Sequence, residues 1–267
     1  MIHGRWIAEL GLDAAYMTIE AQPDALPGLL ARVRNGELLG GNLTKPLKEA
    51  ALPSLDALTD DAAAMGAVNT VFMDQGKLTG ANTDVPGCFA HLDETCPGWD
   101  RTVDQVLVLG AGGAARAVIY GLLQRRMPRI LIANRSVARA QALIEAFAHL
   151  ALGSEVGHVP WPVASASLSS SQLVINTTSL GMVGQPALVL DWPDRLDGTI
   201  VYDIVYVPLE TDLIRQARRR GARTVDGLGM LLHQAAIAFS FWFGATPQVT
   251  PDLWAMVAAD ITRTTGS

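Results

Sequence analysis

The run Gln105-Val106-Leu107-Val108-Leu109, followed at once by Gly110-Ala111-Gly112-Gly113-Ala114-Ala115-Arg116, constrains the fold more than any other stretch. A short apolar run of this kind suits a strand buried on both faces of a parallel sheet. The turn after it fits G-x-G-x-x-A, and a helical pattern follows to about Arg125. In that setting Gly110 permits the tight turn, Gly112 lets a pyrophosphate approach the backbone, and the small Ala115 lets helix and strand pack closely. Unpaired N–H groups at the helix start face the phosphates. Gly110, Ala111, Gly112, Gly113 and Ala114 are therefore the candidate phosphate-facing residues. A glycine turn can also be a plain strand–helix corner, but a strand before it and a helix after it favour a dinucleotide.

Strand and helix signals alternate downstream. Residues 129–133 read as the next strand, Ser136 can cap a helix to about Leu150, and residues 173–176 and 200–204 read as further strands. Pro208 is expected to open another helix. Alternation on this scale implies right-handed βαβ crossovers and an open, doubly wound parallel sheet of the Rossmann type. Upstream, Ile2, Trp6, Ile7 and Leu10 recur at helical spacing before a stop at Gly11. A strand over residues 15–19, a helix over about 23–35, a strand near 37–40 and a hairpin around Gln75-Gly76 follow. Two apolar helices, 228–243 and 251–264, close the chain and are expected to return to the first domain. The fold class expected is α/β in two domains. Residues 1–85 form a substrate-binding catalytic domain, 86–227 a nucleotide-binding domain, and 228–267 the returning helices.

Composition narrows the partners. The chain has 267 residues, 49% hydrophobic and 17% charged, with a net charge of −6. That is a well-filled globular protein without the basic face that nucleic acid needs. Arg218-Arg219-Arg220 is expected to end a helix, where cations suit the dipole. Cys88 and Cys96 have no ligand spacing, which fits a reducing, cytoplasmic setting. No secretory leader is expected at Met1, and the apolar stretch 228–244 is interrupted by His233 and Gln234, so no membrane span is expected. His3, His91, His149, His158 and His233 show no ligand spacing, and no metal is expected.

The end of the second nucleotide-domain strand decides the cofactor. An acid there would bond the ribose hydroxyls of NAD. Here it reads Asn134-Arg135-Ser136-Val137-Ala138-Arg139, with two arginines and no acid. Guanidinium forks suit a 2′-phosphate, and cations at a helix start oppose the dipole unless something anionic sits there. NADP is the expected cofactor.

Four polar clusters lie outside the nucleotide motif. They are Gly41-Asn42-Leu43-Thr44-Lys45-Pro46-Leu47-Lys48, Ala67-Val68-Asn69-Thr70, Asn82-Thr83-Asp84, and Asp226-Gly227-Leu228-Gly229-Met230-Leu231-Leu232-His233-Gln234. Singly, each has a plain reading as a turn, a helix cap or a satisfied amide. With Asn134-Arg135-Ser136, Asn176-Thr177-Thr178-Ser179-Leu180-Gly181-Met182 and Tyr202-Asp203-Ile204-Val205-Tyr206, in this order, the chain resembles the shikimate dehydrogenase family. The resemblance covers nearly the whole sequence. Relatives acting on quinate or aminoshikimate share these motifs.

The resemblance implies an NADP-dependent oxidoreductase acting on a small hydroxy acid, with Lys48 and Asp84 as the catalytic pair. It implies that Thr44, Asn69 and Gln234 bond ring hydroxyls, with Asn42 supporting and Tyr206 lining the substrate. Asn134, Arg135, Ser136 and Arg139 would hold the nucleotide, and Ile204, Gly227 and Met230 would lie along the nicotinamide. The family also carries a strand and a Ser-x-Ser-Pro segment ahead of the helix matched by residues 2–11; its serines hold the substrate carboxylate and are not in the sequence given. Three readings stay open: interconversion of 3-dehydroshikimate and shikimate, a paralogue for quinate, aminoshikimate or another cyclic hydroxy acid, and a relative that binds NADP(H) without turnover. A monomer or homodimer is expected.

Overall fold

The computed structural model describes residues 1–265. They form two compact units, Met1–Gly87 with Leu232–Leu253, and Cys88–Leu231 with the residues from Trp254 on.

The first unit holds α1 (Ile2–Glu9), α2 (Leu26–Arg34), β1 (Gly40–Asn42), α3 (Leu47–Ala50), β2 (Ala57–Leu58), α4 (Asp60–Met65), β3 (Thr70–Asp74) and β4 (Lys77–Ala81). Its sheet runs β1-β3-β4-β2. β3 and β4 are the expected hairpin, with Gln75 at φ 47° and Gly76 at φ 79° supplying the two left-handed residues a tight turn needs. Strand register assembles the site. Asn42 stands opposite Thr70, and Thr70 opposite Ala81, so three polar motifs meet at one end of the sheet.

Leu26, Leu30 and Val33 recur at helical spacing on α2 and pack with Val68, Val71 and Leu78. Fully burying a side chain of this size is worth about 1.5–3 kcal/mol. The later residues of α9 (Gly227–Phe243) close the other side of this core: Phe239 lies edge-on to Trp6 at 5.7 Å, and Phe241 stacks on Phe72 at 4.3 Å.

Two expectations need correction in this unit. The strand placed near 37–40 lies at Gly40–Asn42, because the N–H groups of Glu37 and Leu38 are still bonded to the carbonyl of Arg32 at the end of α2. Residues 15–19 are not a strand. The segment is rich in apolar and β-favouring side chains, but a ladder needs a partner, and among the described residues β1 is an edge strand that pairs with β3 alone. Residues 15–17 and 19 line an apolar cavity of about 470 Å³ together with Gly40, Gly41 and Asn42.

The second unit takes in most of α5 (Asp84–Thr95), then β5 (Gln105–Leu109), α6 (Gly113–Gln124), β6 (Arg129–Asn134), α7 (Val137–Phe147), β7 (Glu155–Pro160), β8 (Leu173–Asn176), β9 (Ile200–Asp203), α8 (Asp212–Arg219) and β10 (Arg223–Val225). All its strands are parallel in the order β10-β9-β8-β5-β6-β7. The order reverses between β5 and β8, which defines the switch-point crevice of a doubly wound sheet. Leu107, Leu109, Val174 and Val201 are wholly buried in its core.

The helix expected from Pro208 starts instead at Asp212, because Thr211 caps it by accepting the N–H of Ile214 at 3.3 Å. The closing α10 (Pro251–Thr265) was expected to return with α9 to the first unit, but its residues from Trp254 on group with the second. Its buried positions, Leu253, Val257 and Ala258, form a single apolar stripe. Among the described residues no helix is long and apolar enough to cross a membrane.

Candidate active site

In the first unit, Lys48 Nζ donates to Asp84 Oδ2 at 2.6 Å, with both side chains about one-quarter exposed at 26% and 27%. Three local features set this pair. Lys48 rides on α3, whose carbonyl at Lys48 accepts the N–H of Val68 at 2.8 Å and so pins the helix to the lead-in of β3. Asp84 begins α5, where a negative charge meets the positive end of the helix dipole. Its own N–H donates to Asn82 Oδ1 at 3.1 Å.

Asn69 sits between these elements and is 3% exposed. Its Nδ2 donates to Asp84 Oδ1 at 2.9 Å and to Thr83 Oγ1 at 3.0 Å, while its Oδ1 accepts the N–H of Thr83 at 2.8 Å. Thr83 Oγ1 in turn donates to Gln234 Oε1 at 3.2 Å. Asn42 donates from Nδ2 to the Asn69 carbonyl at 3.3 Å and to Thr70 Oγ1 at 3.1 Å. Thr44 is exposed, at the turn into α3. Lys48, Asp84, Asn69, Asn42 and Gln234 thus form one hydrogen-bonded group. A lysine held on a carboxylate can hand a proton to an oxygen and take it back, and the amides beside it can hold hydroxyl groups.

Tyr206 belongs to the second unit and is 37% exposed. The nucleotide motif lies there as well. Gly110 has φ 111°, and a Cβ at that position would come within 2.8 Å of Thr177 Oγ1, itself bonded to the carbonyl of Leu109 at 2.7 Å. Only glycine suits that turn. Gly112 starts α6 without a side-chain cap, and no atom stands within 4 Å of where a Cβ would be on Gly112 or Gly113. Backbone donors there, at Ala111, Gly113 and Ala114, are open to a phosphate.

At the end of β6, Asn134 Nδ2 donates to the Ser136 carbonyl at 2.9 Å, and Ser136 Oγ caps α7 by accepting the N–H of Arg139 at 3.4 Å. Arg135 and Arg139 are exposed, and neither has an ionic partner among the described residues. Asn134 and Arg135 line a cavity of about 430 Å³ with Trp161, Thr178 and Ser179. The unpaired guanidinium group of Arg135 at this donor-lined cavity, with that of Arg139 one helical turn further along the chain, fits a nucleotide carrying an extra phosphate.

Gly227, at the head of α9, is fixed by crowding: a Cβ would come within 2.4 Å of the Ile204 carbonyl. Ile204 and Met230 are half-buried. Behind these loops lies a group that the sequence did not single out for a role. The carboxylate of Asp203 accepts from Asn176 Nδ2 at 2.9 Å, Thr211 Oγ1 at 2.6 Å and the N–H of Val205 at 3.1 Å. Burial pushes its pKa up, and these three bonds oppose the rise. In the first unit the additions are Tyr16, Thr70 and Thr83. The last two stood inside motifs already recognised, each next to a residue given a role.

Fold and site define a dinucleotide-linked α/β oxidoreductase with a separate polar unit carrying a lysine–carboxylate pair. Family models for the shikimate dehydrogenase substrate binding domain, shikimate / quinate 5-dehydrogenase and the shikimate 5'-dehydrogenase C-terminal domain match residues 1–71, 97–181 and 227–251. The chain is 48% identical over 261 residues to the shikimate dehydrogenase (NADP(+)) of Azorhizobium caulinodans, covering 98% of this chain and 91% of that one. Among solved structures, shikimate 5-dehydrogenase from Thermus thermophilus, in complex with NADP(H) and shikimate, superposes with a TM-score of 0.80 at 35% identity, over 97% of this chain and 93% of that one. Quinate dehydrogenase from Corynebacterium glutamicum, in complex with NAD, superposes with a TM-score of 0.85 at 31% identity and the same two coverages. The chain belongs to the shikimate dehydrogenase family.

Proposed function

We propose that this protein is an NADP-dependent oxidoreductase that interconverts 3-dehydroshikimate and shikimate. The observation that carries the reading is the Lys48–Asp84 pair at 2.6 Å, bracketed by Asn69. NADPH supplies the hydride for the ring ketone. Lys48 delivers the proton to the oxygen that becomes the hydroxyl, and takes it back in the oxidation direction. Asp84 fixes the ammonium group and accepts a substrate hydroxyl. Asn69, Thr44 and Gln234 bond the remaining ring hydroxyls, Asn42 holds the Asn69 segment in place, and Tyr206 lines the substrate.

On the cofactor side, Gly110, Ala111, Gly112, Gly113 and Ala114 hold the pyrophosphate, and Asn134, Arg135, Ser136 and Arg139 hold the adenosine end. Ile204, Gly227 and Met230 lie along the nicotinamide. Residues 1–85 take the substrate, 86–227 take NADP, and the helices of 228–267 complete the fold. The protein works as a cytoplasmic monomer or homodimer on a small hydroxy acid, without nucleic acid or membrane.

A paralogue for quinate is the second reading, favoured by the family model shared between shikimate and quinate enzymes. Initial rates with shikimate and quinate, each with NADP and with NAD, separate the two. The proposal expects shikimate with NADP to give the highest kcat/KM. A preference for quinate overturns it in favour of the paralogue, and NADP binding without any rate overturns it in favour of a non-catalytic relative.

A further inference from the structure

The polar group of the first unit is ordered as a chain in which each hydrogen bond points the same way. Tyr16 Oη donates to Asn42 Oδ1 at 2.9 Å, and Asn42 Nδ2 donates to Thr70 Oγ1 at 3.1 Å. Thr70 Oγ1 donates to Asn69 Oδ1 at 3.0 Å, and Asn69 Nδ2 donates to Asp84 Oδ1 at 2.9 Å. Lys48 Nζ closes the far side on Asp84 Oδ2. Both carboxylate oxygens are therefore held, one by the lysine and one by the end of the chain.

The direction does not rest on side-chain amides that could be turned over. The N–H of Thr83 reaches one end of the Asn69 amide at 2.8 Å, and an N–H can only donate, so that end is the oxygen. The carbonyl of Asn69 lies 3.3 Å from one end of the Asn42 amide, and a carbonyl can only accept, so that end is the nitrogen. With both amides locked by backbone groups, the single proton of Thr70 has one place to go, Asn69 Oδ1. Aligned links polarise one another in a low-dielectric interior, so a change at one link is felt at the next.

Thr70 is 0% exposed and sits at the start of β3, between Asn42 of β1 and Ala81 of β4. It cannot touch a substrate, and whatever it contributes must pass through Asn69. We infer that Thr70, and at the outer end Tyr16, are positioning residues for the Lys48–Asp84 pair, acting through a one-way hydrogen-bond chain that ends on Asp84. This rests on the proposed role of that pair.

The test uses two substitutions with opposite losses. Thr70→Val keeps the shape and the β-branch but removes the hydroxyl. Asn42 Nδ2 retains the Asn69 carbonyl and Asn69 Oδ1 retains the N–H of Thr83, so no buried group is orphaned and the fold survives. Thr70→Ser keeps the hydroxyl and loses the methyl group. A packing role predicts that Val matches the wild type and Ser is the weaker protein. The chain predicts the reverse: Thr70→Val lowers kcat by about tenfold while KM for shikimate and NADP stays within about twofold, and Thr70→Ser restores kcat. Tyr16→Phe is milder, at about threefold, because Asn42 stays locked from its other end.

A readout without turnover accompanies the kinetics. The ¹³Cγ resonance of Asp84, two hydrogen bonds from Thr70, should move in Thr70→Val and return in Thr70→Ser. A wild-type kcat in Thr70→Val, or an Asp84 resonance that stays in place, would overturn the inference. If the wild-type chain turned over neither shikimate nor quinate, the proposed function would fail, and the resonance would still decide whether the chain reaches Asp84.

Discussion

Lys48 and Asp84 are 36 residues apart in sequence and 2.6 Å apart in space. The distance is closed by β3 and β4: the hairpin returns the chain so that Asn69 and the Asn82-Thr83-Asp84 turn lie side by side, and α3 is tied to the same strand end through Val68. The pair is thus a product of sheet register. A one-residue slip in the hairpin would turn each strand's side chains to the opposite face and part the two groups.

The proposed mechanism needs the Asp84 carboxylate as a charge and not only as an acceptor. Asp84→Asn can still accept from Asn69 but presents an NH₂ group to Lys48, so kcat should fall by about a hundredfold while the midpoint of thermal unfolding barely moves. Steady-state rates and a melting curve on the same preparation check this. A large loss of thermal stability would mean that Asp84 serves the fold first.

Cofactor choice should reside in Arg135 and Arg139, the exposed pair without ionic partners at the end of β6. A charge-assisted bond to phosphate is worth about 1.5–3 kcal/mol. Arg135→Ala is therefore expected to raise KM for NADP by about ten- to a hundredfold and to leave KM for NAD nearly unchanged. Equal losses with both cofactors would place Arg135 on the shared part of the dinucleotide.

Much of the second unit was legible because β5, β6, β8 and β9 are apolar runs flanked by helix caps and glycine turns. β7 and β10 were not, since they lie at the two ends of the sheet, where partly exposed residues blur the pattern. Residues 15–19 show the opposite failure. Their residue types suit a strand, yet no ladder forms, because pairing depends on a neighbour and not on the segment alone. In the first unit the residue types of Lys48, Asn69 and Asp84 stood out as chemistry-bearing. What no residue type reveals is which way an amide faces. The direction of the Asn42, Thr70 and Asn69 links is set by the N–H of Thr83 and the carbonyl of Asn69, which exist as partners only once the hairpin has formed.

His3 should make the protein sensitive to mild acid. It is buried against Trp6, Tyr16 and Phe239. Burial lowers its pKa from 6.5 to about 4, with the neighbouring Asn42 side chain opposing the fall. The folded state therefore favours the neutral ring. The stabilisation is fully present above pH 6.5 and is lost as pH falls toward 4. Between pH 7 and pH 5 this one group should remove about 2 kcal/mol of unfolding free energy. In His3→Phe, which keeps a ring and has no proton to gain, urea unfolding should show that much less dependence on pH over this interval. An unchanged slope would assign the acid sensitivity to other groups.

The central claim is that Lys48 moves the proton. Its most direct test is the turnover of Lys48→Ala with shikimate, measured beside the affinity of the same protein for NADP. The account predicts that kcat falls by at least about a hundredfold while NADP binding stays within about twofold of the wild type. A Lys48→Ala protein that oxidises shikimate at the wild-type rate would contradict it.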